Sequence, residues 1–136
     1  MVSKEMADAG KSTGAIVRST FERIFAGDMS VIVEHPGLAS LQKAFPSMLA
    51  AFPDFSAEFK QQLIDGDRVA MHWIFRGTHK GELYGVPPTG KSVQFQNLSI
   101  SRVENGRIVA YNSEVGWLAV FREIGVLPFH SSRELK

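Results

Sequence analysis

Two runs of alternating apolar and polar residues meet at Asn105-Gly106, and this junction restricts the fold more than any other feature of the chain. Both residues tolerate the positive φ of a type I′ turn, the two-residue turn that joins antiparallel strands. The run from about Ser92 to Val103 is therefore one strand, and the run from Arg107 to about Trp117 returns beside it. With Glu104 facing Arg107 at the turn, counting outward places Ser101 opposite Ala110, Ser99 opposite Asn112, Asn97 opposite Glu114 and Phe95 opposite Gly116, these eight on one side of the sheet. The other side then carries Leu98 and Ile100 together with Tyr111, Val115 and Trp117. A bulge of one residue would exchange these sides.

Upstream, Phe55, Ala57, Phe59 and Leu63 alternate with polar residues up to a turn at Asp65-Gly66-Asp67, and Val69, Met71, Trp73 and Phe75 continue the alternation. This is a second hairpin, with Phe59 opposite Trp73 and Leu63 opposite Val69. Ahead of it the period is helical. Ile16, Val17, Phe21, Ile24 and Phe25 mark a helix ending near Gly27, with Ser12 or Thr13 as its cap. Leu41, Phe45, Met48, Leu49 and Phe52 mark another over Leu38–Phe52, in which Pro46 predicts a kink or a restart. Residues 118–125 suit a short closing helix. Helices followed by consecutive antiparallel strands give an α+β fold with the helices on one face of the sheet. Residues 1–11 read as a flexible lead-in, 12–128 as a single domain and 129–136 as a tail.

A net charge of +1 supplies no electrostatic footprint for nucleic acid, and the absence of cysteine removes disulfides, thiolate catalysis and cysteine-held metals. The four histidines have no metal-ligand spacing, so neither a metal nor an organic cofactor is expected. With no apolar run long enough to span a bilayer, the expectation is a cytoplasmic protein without a membrane partner. Ten Phe, two Trp and two Tyr are more than one small core needs, and an aromatic-lined void suits a planar, apolar small molecule.

The segments Phe52-Pro53-Asp54-Phe55, Gly66-Asp67-Arg68-Val69, His72-Trp73, Gly77-Thr78-His79-Lys80-Gly81-Glu82, Gly85-Val86-Pro87-Pro88-Thr89-Gly90-Lys91, Gly106-Arg107-Ile108-Val109 and Arg122-Glu123-Ile124-Gly125 occur in an order that resembles the SnoaL-like polyketide cyclases. That resemblance implies the nuclear-transport-factor-two-like fold, a cone of helices over a curved, mainly antiparallel sheet whose concave face holds the ligand. It also implies a catalytic aspartate on the last strand. Matching Arg122 and Gly125 to the family pattern puts that aspartate at Gly116 and a nearby tryptophan at Asn112, so both are missing. Ser99 and Ser101 stand where such cyclases can place a histidine.

Glu114 is the nearest substitute on the register above. In an apolar cavity its pKa would rise toward neutrality, and Asn97 opposite would orient it, so the pair is the expected acid/base machinery. The alternative is a solvated, inert rim carboxylate. Phe59, Trp73 and Phe95 are expected as the apolar wall, with Ser99, Asn112 and Gly116 beside the substrate. His35 either touches the pocket or caps its loop. The resemblance implies an enzyme of antibiotic or other secondary metabolism that closes a ring, isomerises or moves a proton on an apolar polyketide-like substrate. A branch assisting hydroxylation and a non-catalytic binder of the same fold are the alternatives. A homodimer through the convex sheet face would cover the apolar residues expected there.

Overall fold

A computed structural model describes residues 4–126, with side chains from residue 13 onward. The chain runs α1 (Lys4–Phe25), two 3₁₀ turns (Met29–Glu34 and Pro36–Leu38), α2 (Leu41–Ala51), β1 (Ser56–Asp65), β2 (Arg68–Thr78), β3 (Ser92–Glu104), β4 (Arg107–Val115) and α3 (Trp117–Glu123). The four strands form one antiparallel sheet in the order β1-β2-β3-β4, and the helices cover one face of it. Among the described residues no helix is long and apolar enough to cross a membrane.

α1 begins at Lys4, so Ser12 and Thr13 lie inside the helix rather than at its cap, and most of the expected lead-in is helical. Lys4–Lys11 carries good helix formers without an apolar stripe, which periodicity alone does not register. The helix ends as expected: Gly27 takes φ +102°, and the Asp28 N–H reaches back to the Arg23 carbonyl. α2 runs through Pro46 without a restart, because the buried Phe45, Met48 and Ala51 hold both halves on the core. The stretch expected to begin that helix at Leu38 is instead a 3₁₀ turn. Residues 129–136 lie outside the described residues.

Alternation in β2 and β3 reads as expected. Val69, Met71, Trp73 and Phe75 are buried, as are Val93, Phe95, Asn97, Ser99, Ser101 and Val103. Asn105 and Gly106 adopt φ +51° and +75°, as a type I′ turn requires.

Two bulges change the partners of the outer strands. In β1, Phe59 pairs with Trp73 as expected, but the ladder then skips Lys60, so Ile64 meets Val69, and Leu63 meets Ala70 on the convex face. In β4, Val103 pairs with Ile108 but Arg102 pairs with Ala110, leaving Val109 as an extra residue. Every side chain beyond it is reversed relative to the simple count. Glu114 pairs with Leu98 rather than Asn97, Asn112 pairs with Ile100 rather than Ser99, and both are exposed on the convex side. Tyr111 and Ser113 pair with Ser101 and Ser99 on the concave side, and Val115 takes the place opposite Asn97 that was expected for Glu114.

His35 and Gly37 hold the β4 bulge. The Ile108 N–H donates to His35 Nδ1 at 3.0 Å. A Cβ on Gly37 would come within 2.6 Å of the Ala110 nitrogen and 2.7 Å of the Val109 carbonyl carbon, so the second 3₁₀ turn lies directly on the bulged backbone. His35 is thus a buried cap. With Nδ1 accepting, the neutral ring carries its proton on Nε2, 3.5 Å from Thr20 Oγ1, which itself donates to the Ile16 carbonyl at 2.7 Å. Burial pushes the His35 pKa below its ordinary value, Arg107 acts the same way, and Glu34 opposes them.

A histidine whose folded pKa is depressed favours folding fully above its unfolded pKa of about 6.5, and that contribution declines as pH falls toward the folded value. Urea midpoints should therefore drop between pH 7.5 and pH 5. His35→Asn, which keeps an acceptor for Ile108 without a titrating ring, should flatten that slope. An equal slope in the variant would contradict the assignment.

Candidate functional site

The concave face opens between α1, α2, α3 and the sheet into a cavity of about 330 Å³. Its walls are aromatic and come from four elements: Phe25 of α1, Phe45 of α2, Phe75 of β2 and Trp117 of α3. Phe25 sits at the hub, with ring centroids 5.0 Å from Phe75 and 5.8 Å from Phe45. Phe25 meets Phe75 edge-on and Phe45 at a tilt of 46°, and these contacts hold the rings in place around the cavity.

Asn97 of β3 and Tyr111 and Ser113 of β4 interrupt that wall on the sheet side, and Ser40, Tyr84 and Asn112 also border the cavity. The bulge at Val109 is what brings Tyr111 and Ser113 inward. Burial pushes the Tyr111 hydroxyl above the usual phenol pKa, against the opposing hydrogen bonds of Ser113 and Asn97. It is therefore neutral at physiological pH, a donor rather than a base. No carboxylate or imidazole lines this cavity among the described residues, and among them no three His, Asp or Glu side chains gather as a metal site would require. A neutral phenol, an amide and a hydroxyl inside an aromatic box can orient an oxygenated ring system and polarise one of its oxygens.

The residues expected from sequence fall into three groups. Asn97 lines the cavity, and Asn112, paired with Ile100 on the convex side, also borders it. Ser99 is buried on the concave face but does not line this cavity, and Trp73 and Phe95 pack behind it, Trp73 against Phe25 and Phe95 against Trp117. Phe59 is half-buried toward α1, with the Arg18 guanidinium 3.9 Å above its ring. Glu114 lines a convex groove of about 510 Å³ with Leu63, His72, Leu98 and Ile100, and His35 is the cap described above.

Gly116 is the last residue before α3. Its N–H donates to the Gln96 carbonyl at 2.8 Å, and a Cβ there would stand 3.3 Å from the Gln96 nitrogen. A side chain at this position would press on the β3 backbone, so the glycine serves a close strand approach. Tyr111, Ser113 and Trp117 were missed because the simple count turned them outward. The one signal for them in the sequence is the spacing of three between Ile108 and Tyr111, which alternation alone cannot accommodate.

The model of the SnoaL-like polyketide cyclases matches residues 7–124. The chain belongs to this family. Among solved structures, the proposed hydroxylase AclR from Streptomyces galilaeus is 26% identical with a TM-score of 0.79, the match covering 88% of each chain. The proposed polyketide cyclase IdmH from Streptomyces antibioticus is 26% identical with a TM-score of 0.72, over 84% of this chain and 99% of that one. A proposed SnoaL-like polyketide cyclase from Jannaschia, at 19% identity and a TM-score of 0.73 over 88% and 96% of the two chains, shares the fold. No curated protein matches the chain significantly. Within this SnoaL-like frame, the cone of helices over an open curved sheet is the family architecture expected from sequence.

Proposed function

We propose that this SnoaL-like protein is a secondary-metabolism enzyme that holds a planar, oxygenated, polyketide-like ring system in the concave cavity. It promotes ring closure or isomerisation there without a metal or organic cofactor. The observation that carries this reading is the pairing of an aromatic box with the neutral Tyr111 hydroxyl flanked by Asn97 and Ser113. Tyr111 donates to a substrate carbonyl oxygen as negative charge develops on it, and Asn97 and Ser113 hold the phenol in place. The rings of Phe25, Phe45 and Trp117 fold the substrate so that its reacting atoms meet. Such positioning can by itself supply several powers of ten in rate. Proton transfer then runs between substrate atoms or through water.

A second reading, assistance to hydroxylation of an aromatic polyketide, is favoured by the likeness to AclR and by a cavity without a side-chain base. Retention of ligand without turnover would be the mark of a binding protein. One experiment separates the three. Purified protein is incubated with a panel of linear and partly cyclised aromatic polyketides, and the products are read by mass spectrometry and chromatography. A new compound of unchanged mass supports ring isomerisation, loss of water on ring closure supports condensation, and a gain of one oxygen moves the assignment to hydroxylation. Tight binding with no new compound refutes catalysis.

We also infer that two copies associate through the convex face. The β1 bulge puts Leu63 there, 69% exposed, beside Leu98 and Ile100, and two-fold pairing would cover all three. Light scattering at micromolar concentration should give the mass of a dimer. Leu63→Glu combined with Ile100→Glu should give the monomer, and a wild-type monomer would refute the pairing.

A further inference from the structure

The loop between β2 and β3 contains a tight turn whose sequence contradicts its geometry. Leu83 and Val86 exchange both backbone hydrogen bonds, Leu83 N–H to Val86 at 3.1 Å and Val86 N–H to Leu83 at 2.8 Å, and the two residues between them are Tyr84 and Gly85. Their φ values of +47° and +83° are those of a type I′ turn. Asn or Gly ordinarily fills the first of these positions, because a bulky side chain there is strained. Such strain persists where the surroundings impose it, and it clusters at ligand sites.

These surroundings are rigid. Leu83 is buried in the core, and the Lys80 and Gly81 N–H groups both donate to the Ala51 carbonyl at the end of α2, at 3.0 and 3.1 Å. Gly81 lies so close to α2 that a Cβ would stand 2.0 Å from the Ala50 oxygen. The turn is therefore fixed, and with it the direction in which Tyr84 projects. Its ring stands edge-on to Trp117 at 5.5 Å and lies 6.0 Å from Phe121, yet the residue is 73% exposed. A core role does not account for an aromatic ring in that setting.

Position does account for it. Outside the concave cavity lies a recess of about 610 Å³, edged by Lys43, Ser47 and Glu82. Tyr84, Trp117 and Met48 line both spaces. We propose that Tyr84 is the specificity-determining partition between an inner aromatic compartment and an outer recess that carries Lys43, Ser47 and Glu82, and that its ring sets how long a fused-ring ligand can lie flat in the site. The ligand class that follows is a planar fused-ring system of limited length that ends against Tyr84, with a polar substituent that emerges toward Lys43 and Glu82. This rests on the concave cavity being the ligand site.

The test uses the full chain, its Tyr84→Gly and Tyr84→Asn variants, and three probes of increasing length: 1,4-naphthoquinone, 9,10-anthraquinone and 5,12-naphthacenequinone. Both substitutions suit a positive φ, so the turn should persist and the thermal midpoints should stay within a few degrees of wild type. Quenching of tryptophan fluorescence reports binding, since Trp117 borders both compartments.

Wild type should bind the two shorter quinones and discriminate against the longest. Both variants should bind the longest about tenfold more tightly and the shortest a few-fold more weakly, the latter from the lost aromatic contact. A general loosening of structure would weaken all three probes together. If the ratio of affinities for the longest and shortest probes is the same in wild type and variants, Tyr84 is not the selector and the cavity assignment stands. If no quinone binds wild type or either variant, the cavity assignment fails and the partition fails with it.

Discussion

Replacing Tyr111 with Phe should lower turnover on the true substrate by about 10²-fold while leaving the fold intact. The size follows from what one preorganised donor to a developing oxyanion is worth. The ring stays in place, so packing against Phe21, whose centroid is 5.2 Å away, is preserved. Asn97 and Ser113 lose one shared partner, and because Asn97 is buried this should cost about 1–3 kcal/mol of stability. The loss should fall on kcat, since the aromatic walls that bind the ring system are untouched. Glu114→Gln is the matched control. With Glu114 exposed beside Leu98 on the convex face, turnover should stay within about twofold of wild type, as expected for a surface change away from the site. Steady-state rates on both variants decide the point, and loss in the glutamine variant with none in the phenylalanine variant would restore the carboxylate as the proton carrier.

Replacing Gly37 with Ala should damage the site from a distance. The added methyl would meet the Ala110 nitrogen and the Val109 carbonyl carbon, both backbone atoms of the bulge, at less than van der Waals contact. Neither can rotate away. Overpacking of this kind costs about 1–3 kcal/mol, so the urea midpoint should fall clearly. The strain enters where the β4 face is decided, so Tyr111 and Ser113 should shift. Turnover measured well below the melting temperature should then fall further than the unfolded fraction explains. Unchanged stability would mean that the second 3₁₀ turn does not rest on the bulge.

These two outcomes depend on the same irregularity, and it marks how far the sequence could be read. The Asn105-Gly106 turn, the alternation in β2 and β3 and the stripe of α1 are local patterns, and each appears in the structure where the pattern puts it. The concave placement of Asn97 follows from β3 alone. The face of β4 does not, because the bulge at Val109 is held by His35 and Gly37, more than seventy residues away. Alternation describes a regular ladder, and the only local hint in Arg107–Val115 is the spacing of three between Ile108 and Tyr111, which does not say which residue is left out. The bulge in β1 did the same to Leu63, moving it from the expected core to the convex surface. Tyr84 was illegible for a different reason: its significance lies in a conflict between residue type and backbone conformation, and the φ of +47° is a property of the folded loop.

The function depends on which face of the sheet receives the substrate, and the measurement that tests this most directly is a crystal structure with a planar polycyclic quinone bound. The expected result is a ring system lying between Phe25, Phe45 and Trp117, with one quinone oxygen about 2.6–3.2 Å from the Tyr111 hydroxyl. Glu114 would then lie across the sheet from it. A quinone seated instead in the convex groove against Leu63, Leu98 and Glu114, with the aromatic cavity collapsed, would contradict the account.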